Sequence, residues 1–256
     1  MRWGRFEKTP GEPFYAIING NRVRRISGTP FGSFEEQEEL PLASLKILAP
    51  ALPTKIVCVG LNYRDHAAEL GMSLPEEPII FMKPLSALLA PGEEIIYPPM
   101  VSQLDYEAEL AFVIGKKGKE IKEEEAEDYI FGYTCFNDVT ARDLQKIDGQ
   151  WTRSKSFDTF APLGPWVETS FSPDEEFIVR LELNGKTRQN SSTKNFIFSI
   201  RRVLSFVSRI MTLFPGDVIA TGTPPGIGEL RPGDRVTVDV AGIGRLENSV
   251  SQRKEA

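Results

Sequence analysis

Three carboxylates in this chain stand where acids are costly. In Asp105-Tyr106-Glu107-Ala108-Glu109-Leu110-Ala111-Phe112-Val113-Ile114, the apolar residues predict a strand whose period of two puts Glu107 and Glu109 on one face. That face continues with Ala111 and Val113, so what could be a solvent-facing edge becomes buried. Neighbouring carboxylates on such a face repel and resist desolvation unless a cation or a shared proton compensates. A third acid, Asp138, follows the apolar run Tyr129 to Asn137 and precedes Val139-Thr140. Either it caps a helix suggested by Thr140-Ala141-Arg142-Asp143-Leu144, or it joins the pair. Joined, three hard oxygen donors make an open octahedral site that suits Mg²⁺ or Mn²⁺ and leaves room for water and substrate. Glu107→Ala or Asp138→Ala is then expected to abolish metal binding and leave the fold.

His66 lies in Asn62-Tyr63-Arg64-Asp65-His66-Ala67-Ala68-Glu69. If this stretch is helical, His66 and Glu69 are neighbours at i and i+3, and the carboxylate raises the basicity of the imidazole and fixes its tautomer, as a general base requires. A surface or structural histidine is the plainer reading. The residue does, however, follow Val57-Cys58-Val59-Gly60-Leu61, a strand running into a glycine turn, where catalytic groups are common. Gly222-Thr223-Pro224-Pro225-Gly226-Ile227-Gly228 is glycine-rich but lacks the Lys-Ser/Thr of a phosphate loop and does not fit the dinucleotide fingerprint; alone it is a turn. Arg142 and Lys155 could bind carboxylates, although most such residues are surface charges.

The elements that must hold these groups are mainly strands. Phe14 to Ile26 alternates around Asn19-Gly20 and reads as a hairpin, as does the region around Asn184-Gly185. A proline-punctuated stretch from Pro41 to Pro53 reads as a linker, dividing a small N-terminal β-rich domain, 1–53, from the main body, 54–256. Short β-rich runs follow at Lys55 to Val59, Pro78 to Met82, Glu94 to Tyr97 and Glu107 to Ile114, and Pro-Gly-Asp twice precedes a β-branched run. Two helices are predicted, Lys122 to Ile130 with a solvated acidic face and Thr193 to Leu213 packed on a sheet. The pattern is mostly β (α+β), with a few helices and no doubly wound order.

Composition narrows the function further. The 256 residues are 41 % hydrophobic, enough for a sizeable core, and 30 Lys+Arg against 36 Asp+Glu give a net charge of −6, which argues against nucleic acid as a partner. One histidine and two cysteines, Cys58 and Cys135, exclude zinc fingers, iron–sulfur clusters and a disulfide framework, so any metal must be held mainly by oxygen. No signal-peptide core or membrane-length apolar stretch is present, and a cytoplasmic location is expected.

Asn62-Tyr63 with His66 and Glu69, Phe81-Met82-Lys83-Pro84, Asp105 to Leu110, Asn137 to Asp143, Ser154-Lys155-Ser156-Phe157-Asp158 and Thr221-Gly222-Thr223-Pro224 together resemble the fumarylacetoacetate hydrolase family. The resemblance covers about residues 54 to 250, and residues 1–53 resemble the small N-terminal domain of many bacterial and archaeal members. It implies a mixed β-roll, usually a homodimer, with Mg²⁺ or Mn²⁺ held by Glu107, Glu109 and Asp138. His66 and Glu69 match the acid/base dyad, on a segment that often orders over bound substrate. Arg142, Gln145 and Lys155 match positions that hold the substrate's carboxylate and keto group, and Lys155 is also placed among the catalytic residues. Thr223 and the Gly222 backbone match the loop that completes the pocket.

True fumarylacetoacetate hydrolases are longer and have a separate SH3-like N-terminal domain. It is more similar to the short branch of acylpyruvate hydrolases, oxaloacetate decarboxylases or tautomerases, and homoprotocatechuate-pathway isomerase/decarboxylases. The expected activity is Mg²⁺-dependent chemistry on a small 2-oxo acid, with C–C hydrolysis of an acylpyruvate through a metal-bound enolate preferred. The alternatives are oxaloacetate-type decarboxylation, isomerisation of 2-hydroxyhepta-2,4-diene-1,7-dioate in aromatic catabolism, and a non-catalytic carboxylate-binding protein.

Overall fold

Local turn chemistry decides the hairpins. The strands Ile178–Leu183 and Lys186–Ser192 are joined by Asn184-Gly185, with φ of 51° and 74°, the two left-handed residues that a tight hairpin of the right twist requires. At the N-terminal hairpin, Asn19 closes the first strand opposite Arg22, so the loop is Gly20-Asn21, one residue later than the sequence suggested. The computed structural model describes residues 1–252.

A meander of Arg2–Glu7, Pro13–Asn19, Arg22–Gly28 and Phe34–Pro41 opens the largest sheet, which passes through Ala161–Glu168, Ile130–Asn137, Ala108–Ile114, Val218–Ala220 and Ile56–Gly60 to Ile79–Lys83. The meander joins the main body edge to edge, with Arg2 opposite Glu168 and Trp3 opposite Val167, while keeping its own apolar cluster of Phe6, Phe14, Ala16, Ile18 and Val23. The proline-punctuated stretch expected as a linker carries a short strand, Lys46–Leu48, paired with Arg2–Glu7. A second sheet, ordered Lys186–Ser192, Ile178–Leu183, Arg235–Val240, Gly244–Gln252 and Glu94–Tyr97, packs on the middle of the first. Leu110, Phe112, Val179, Leu181, Val236 and Leu246 belong to their common core. The structure is mostly β with few helices, and among the described residues no helix is long and apolar enough to cross a membrane.

Two helical expectations change. Thr193–Asn195 is a single 3₁₀ turn, and the regular helix runs only over Ile200–Ile210. Between them the chain is held extended by Asn62: its carbonyl accepts the Ile197 N–H at 2.8 Å and its Oδ1 the Phe198 N–H at 2.8 Å. Ser199 then caps the new helix through Arg202 N–H at 3.2 Å. The acidic run forms a 3₁₀ helix, Glu123–Tyr129, whose buried Ala126 and following Tyr129 stand three residues apart, the spacing that eclipses side chains in that geometry. This 3₁₀ helix, rather than a sheet, is the main neighbour of Ile200–Ile210. The remaining helices are short: α1 (Arg64–Glu69), α2 (Arg142–Asp148) and α3 (Thr152–Lys155).

Candidate active site

The carboxylates meet because their strands are hydrogen-bonded neighbours. Ala108–Ile114 is buried along its whole length and runs antiparallel to Ile130–Asn137, with Ala108 opposite Asn137 and Glu109 opposite Phe136. Asp138, the next residue, therefore falls beside Glu107: its N–H donates to the Glu107 carbonyl at 2.9 Å, and Asn137 Oδ1 accepts the Glu107 N–H at 3.0 Å. Oxygens of Glu107, Glu109 and Asp138 all lie within 4.8 Å of one another, and all three residues are buried. The capping alternative for Asp138 does not hold, because Ala141 is the N-cap of α2 and no side chain caps it.

Two buried lysines and the half-buried Arg142 face the triad. The Lys155 ammonium donates to Glu107 at 3.0 Å and Asp138 at 2.6 Å; Lys83 donates to the other Asp138 oxygen and, at 3.0 Å, to the Val139 carbonyl. Arg142 gives Nε to Asp105 at 2.8 Å, Nη1 to Gln145 at 2.6 Å and Nη2 to Glu107. Burial pushes the Glu107 carboxyl up, but Lys155 and Arg142 outweigh it and hold the group down at about 2. Glu109 goes the other way: burial, then the charges of Asp138 and Glu107, push it well above the usual carboxylate range. Burial also lowers Lys83 against the opposing pull of Asp138, whereas in Lys155 the charges of Asp138 and Glu107 overcome burial and raise it.

On the other wall, α1 brings His66 Nδ1 to 2.9 Å from Glu69 Oε2, and Glu69 in turn accepts the Gly226 N–H at 3.0 Å. A carboxylate on Nδ1 favours the tautomer that leaves the Nε2 lone pair free to take a proton. The start of α1 is tied down by Asp65, which accepts from Ser191 Oγ at 2.6 Å and Asn195 Nδ2 at 2.9 Å. One cavity of about 270 Å³ is lined by His66, Glu107, Glu109, Asp138, Arg142, Gln145, Lys155 and Thr223, so eight of the ten expected site residues line a single space. Glu69 stands behind His66, and Gly222 behind Glu109, whose Oε2 accepts the Gly222 N–H at 2.8 Å. Gly222 has φ of +95°, and a Cβ there would lie 2.9 Å from that of Asn62, so only glycine fits. The Thr223 hydroxyl donates to the Ala108 carbonyl at 2.9 Å and accepts from Gln189 Nε2 at 2.9 Å, so its proton is already committed. A larger concavity of about 870 Å³ beside Glu94, Phe157 and Thr159 contains neither the histidine nor the triad, and we do not regard it as the reaction site.

The donor set fits a hard divalent cation: every oxygen is a carboxylate, and among the described residues Oε1 of Glu109 has no hydrogen-bond donor. Sequence reasoning did not assign roles to Lys83, Asp105, Gln189 or the aromatic wall of Phe81 and Trp151, whose rings meet edge to face at 5.2 Å. Asp105 had a signal, since it extends the alternation of Glu107 and Glu109 by one step, and Lys83 stood in the quoted Phe81-Met82-Lys83-Pro84 motif without a role; Gln189 reaches the site from a segment with no local pattern of its own.

Residues 55–251 match the family described as fumarylacetoacetate (FAA) hydrolase C-terminal, and residues 1–50 match the Rv2993c-like N-terminal family. An uncharacterised protein of Methanocaldococcus jannaschii, MJ1656, is 56 % identical over 202 residues, 79 % of this chain and 85 % of that one. The mitochondrial oxaloacetate tautomerase fahd2 of Xenopus laevis is 43 % identical over 226 residues, 84 % of this chain and 71 % of its own. Among solved structures, the 2-hydroxyhepta-2,4-diene-1,7-dioate isomerase of Mycobacterium marinum superposes with a TM-score of 0.92 at 40 % identity, covering 100 % of both chains.

Proposed function

Since the chain belongs to the fumarylacetoacetate hydrolase family, an enzyme family whose members act on small oxo acids, we propose that its site moves a proton at the carbon next to the keto group of a small 2-oxo acid, interconverting keto and enol forms. The observation that carries this reading is the meeting, in one cavity, of a carboxylate-backed histidine and a buried carboxylate triad. Mg²⁺ or Mn²⁺, held by Glu107, Glu109 and Asp138, supplies the positive charge that makes a keto group electron-withdrawing enough for its neighbouring C–H to ionise. His66 Nε2 takes and returns the proton, with Glu69 holding the ring through Nδ1 and stabilising the imidazolium that forms. Arg142 and Lys155 orient the substrate carboxylate by charge-assisted hydrogen bonds. Val59, Leu61 and Trp151 line the same cavity and limit water around the reacting carbon.

Hydrolysis of an acylpyruvate uses the same groups, with His66 activating water instead of a C–H bond, and decarboxylation forms the same enol without a base. Rearrangement is placed first because the 43 % identical relative bears the name of a tautomerase and the 40 % identical structure that of an isomerase. Oxaloacetate and acetylpyruvate should be compared with Mg²⁺, Mn²⁺ or EDTA, following enol absorbance, pyruvate and CO₂. Metal-dependent keto–enol exchange without either product supports the reading. Pyruvate from acetylpyruvate moves the assignment to a hydrolase, CO₂ from oxaloacetate to a decarboxylase, and silence on both to the dienedioate isomerase branch or a carboxylate-binding protein.

A further inference from the structure

We infer that Asp105 is a positioning residue that keeps the Arg142 guanidinium aimed at the carboxylate of the substrate; the inference rests on the 2-oxo acid reading of the site. Asp105 is 2 % exposed and lies on the short strand Leu104–Tyr106, where it pairs with Thr140, two residues before Arg142. The same segment fixes the main chain of that arginine, whose N–H donates to the Gln103 carbonyl at 2.8 Å. Ser102 adds two bonds, from N–H at 2.8 Å and from Oγ at 2.7 Å, to Asp143 on the first turn of α2. Backbone and guanidinium of Arg142 are thus both held by residues 103–105.

Arg142 has two acidic partners, and they are not equivalent. Glu107 belongs to the triad and is already shared with Lys155 at 3.0 Å. Asp105 lies outside the triad, and its other neighbour is the neutral amide of Gln103, at 3.1 Å from Oδ1. When Glu107 commits charge to a cation, Asp105 is the acid that continues to compensate the guanidinium and fix its plane through Nε. That leaves Nη hydrogens to meet a planar carboxylate in the forked geometry that guanidinium favours. An asparagine at 105 keeps the shape and one acceptor but loses the charge that makes this anchor compete with the ligand's own carboxylate.

A thermodynamic cycle tests this without relying on turnover. Mg²⁺ alone, and oxalate in the presence of Mg²⁺, are titrated calorimetrically into wild type, Asp105→Asn, Arg142→Ala and the double variant; oxalate presents the two adjacent oxygens of a 2-oxo acid head. Asp105→Asn is expected to leave Mg²⁺ affinity within about threefold and to weaken oxalate by about tenfold, and the double variant to bind oxalate no more weakly than Arg142→Ala. Asp105→Glu, which keeps the charge, is expected to bind oxalate more tightly than Asp105→Asn, and this comparison of two single variants remains usable if the double variant fails to fold. Losses that multiply in the double variant, a fall in Mg²⁺ affinity as large as that in oxalate affinity, or equal behaviour of Asp105→Glu and Asp105→Asn would overturn the inference and leave the functional reading standing. Failure of wild type to bind oxalate with Mg²⁺ would overturn both.

Discussion

Loading the triad with a divalent cation should expel a proton, because burial and two neighbouring carboxylates favour the protonated form of Glu109 in the metal-free protein. Glu109 is 1 % exposed, and burial, followed by the charges of Asp138 and Glu107, pushes its carboxyl well above the ordinary range. Its oxygen lies within 4.8 Å of those of both neighbours. At that separation two unit charges repel by about 3–4 kcal/mol at an effective dielectric constant of about 20. The Gly222 N–H and Lys155 oppose this, but the Lys155 nitrogen sits on Glu107 and Asp138, at 3.0 and 2.6 Å, rather than on Glu109. A carboxylate ligand must give up its proton to bind metal, so apparent Mg²⁺ affinity should rise by about tenfold per pH unit while Glu109 is protonated in the free protein. Calorimetric titrations in buffers of different ionisation enthalpy count the protons: about one at pH 7 for wild type, and about zero, with weaker binding, for Glu109→Gln. A wild-type count of zero with affinity flat between about pH 6 and pH 8 would refute the argument, since Glu109 would then already be ionised.

His66→Ala should keep its Mg²⁺ affinity and lose about 10²- to 10⁴-fold in rate, the range for a general acid/base; a collapse of metal affinity in the same titration would make His66 a ligand instead. Asp138→Ala, expected from sequence to leave the fold intact, strands Lys83, 1 % exposed, without its acid and leaves Lys155, 2 % exposed, with Glu107 alone. It should cost about 3–5 kcal/mol, with Lys83→Met recovering part of it, and an unchanged denaturation midpoint would contradict this. Glu107 and Glu168 are both held at about 2: in each, burial is outweighed, by Lys155 and Arg142 for Glu107 and by the N-terminal ammonium and Ser170 for Glu168. Because these folded values lie below the ordinary 4.5, the stability they confer is present above that pH and is lost as pH falls toward 2; Glu168→Gln should flatten part of this acid limb in thermal melts of the metal-free protein. Oxalate should bind only after Mg²⁺, since a cation on the triad competes with Lys155 for Glu107 and Asp138, and tight oxalate binding in EDTA would contradict that order.

What could be read from the sequence was whatever is decided over a few residues. Asn184-Gly185 specifies its turn by itself, and the alternation through Glu107, Glu109, Ala111 and Val113 announces acids on a face that becomes buried. The helix predicted over Thr193 to Leu213 failed because its period omitted a competitor distant in the chain, 136 residues before Phe198: Asn62 captures the Ile197 and Phe198 N–H groups and pulls the chain straight before Ser199 restarts it. The candidate site divides in the same way. Its acids could be recognised because burying carboxylates without compensation is physically implausible wherever they occur, but the nature of the compensation could not. The alternation left open a cation or a shared proton, and the structure draws on both, with Lys83, Lys155 and Arg142 on Glu107 and Asp138, while burial and the neighbouring carboxylates push the Glu109 carboxyl upward toward its protonated form. A triad supported in this way can fold before it meets an ion, and two of the groups that neutralise it, the Lys155 ammonium and the Arg142 guanidinium, then face the cavity where a substrate carboxylate would arrive.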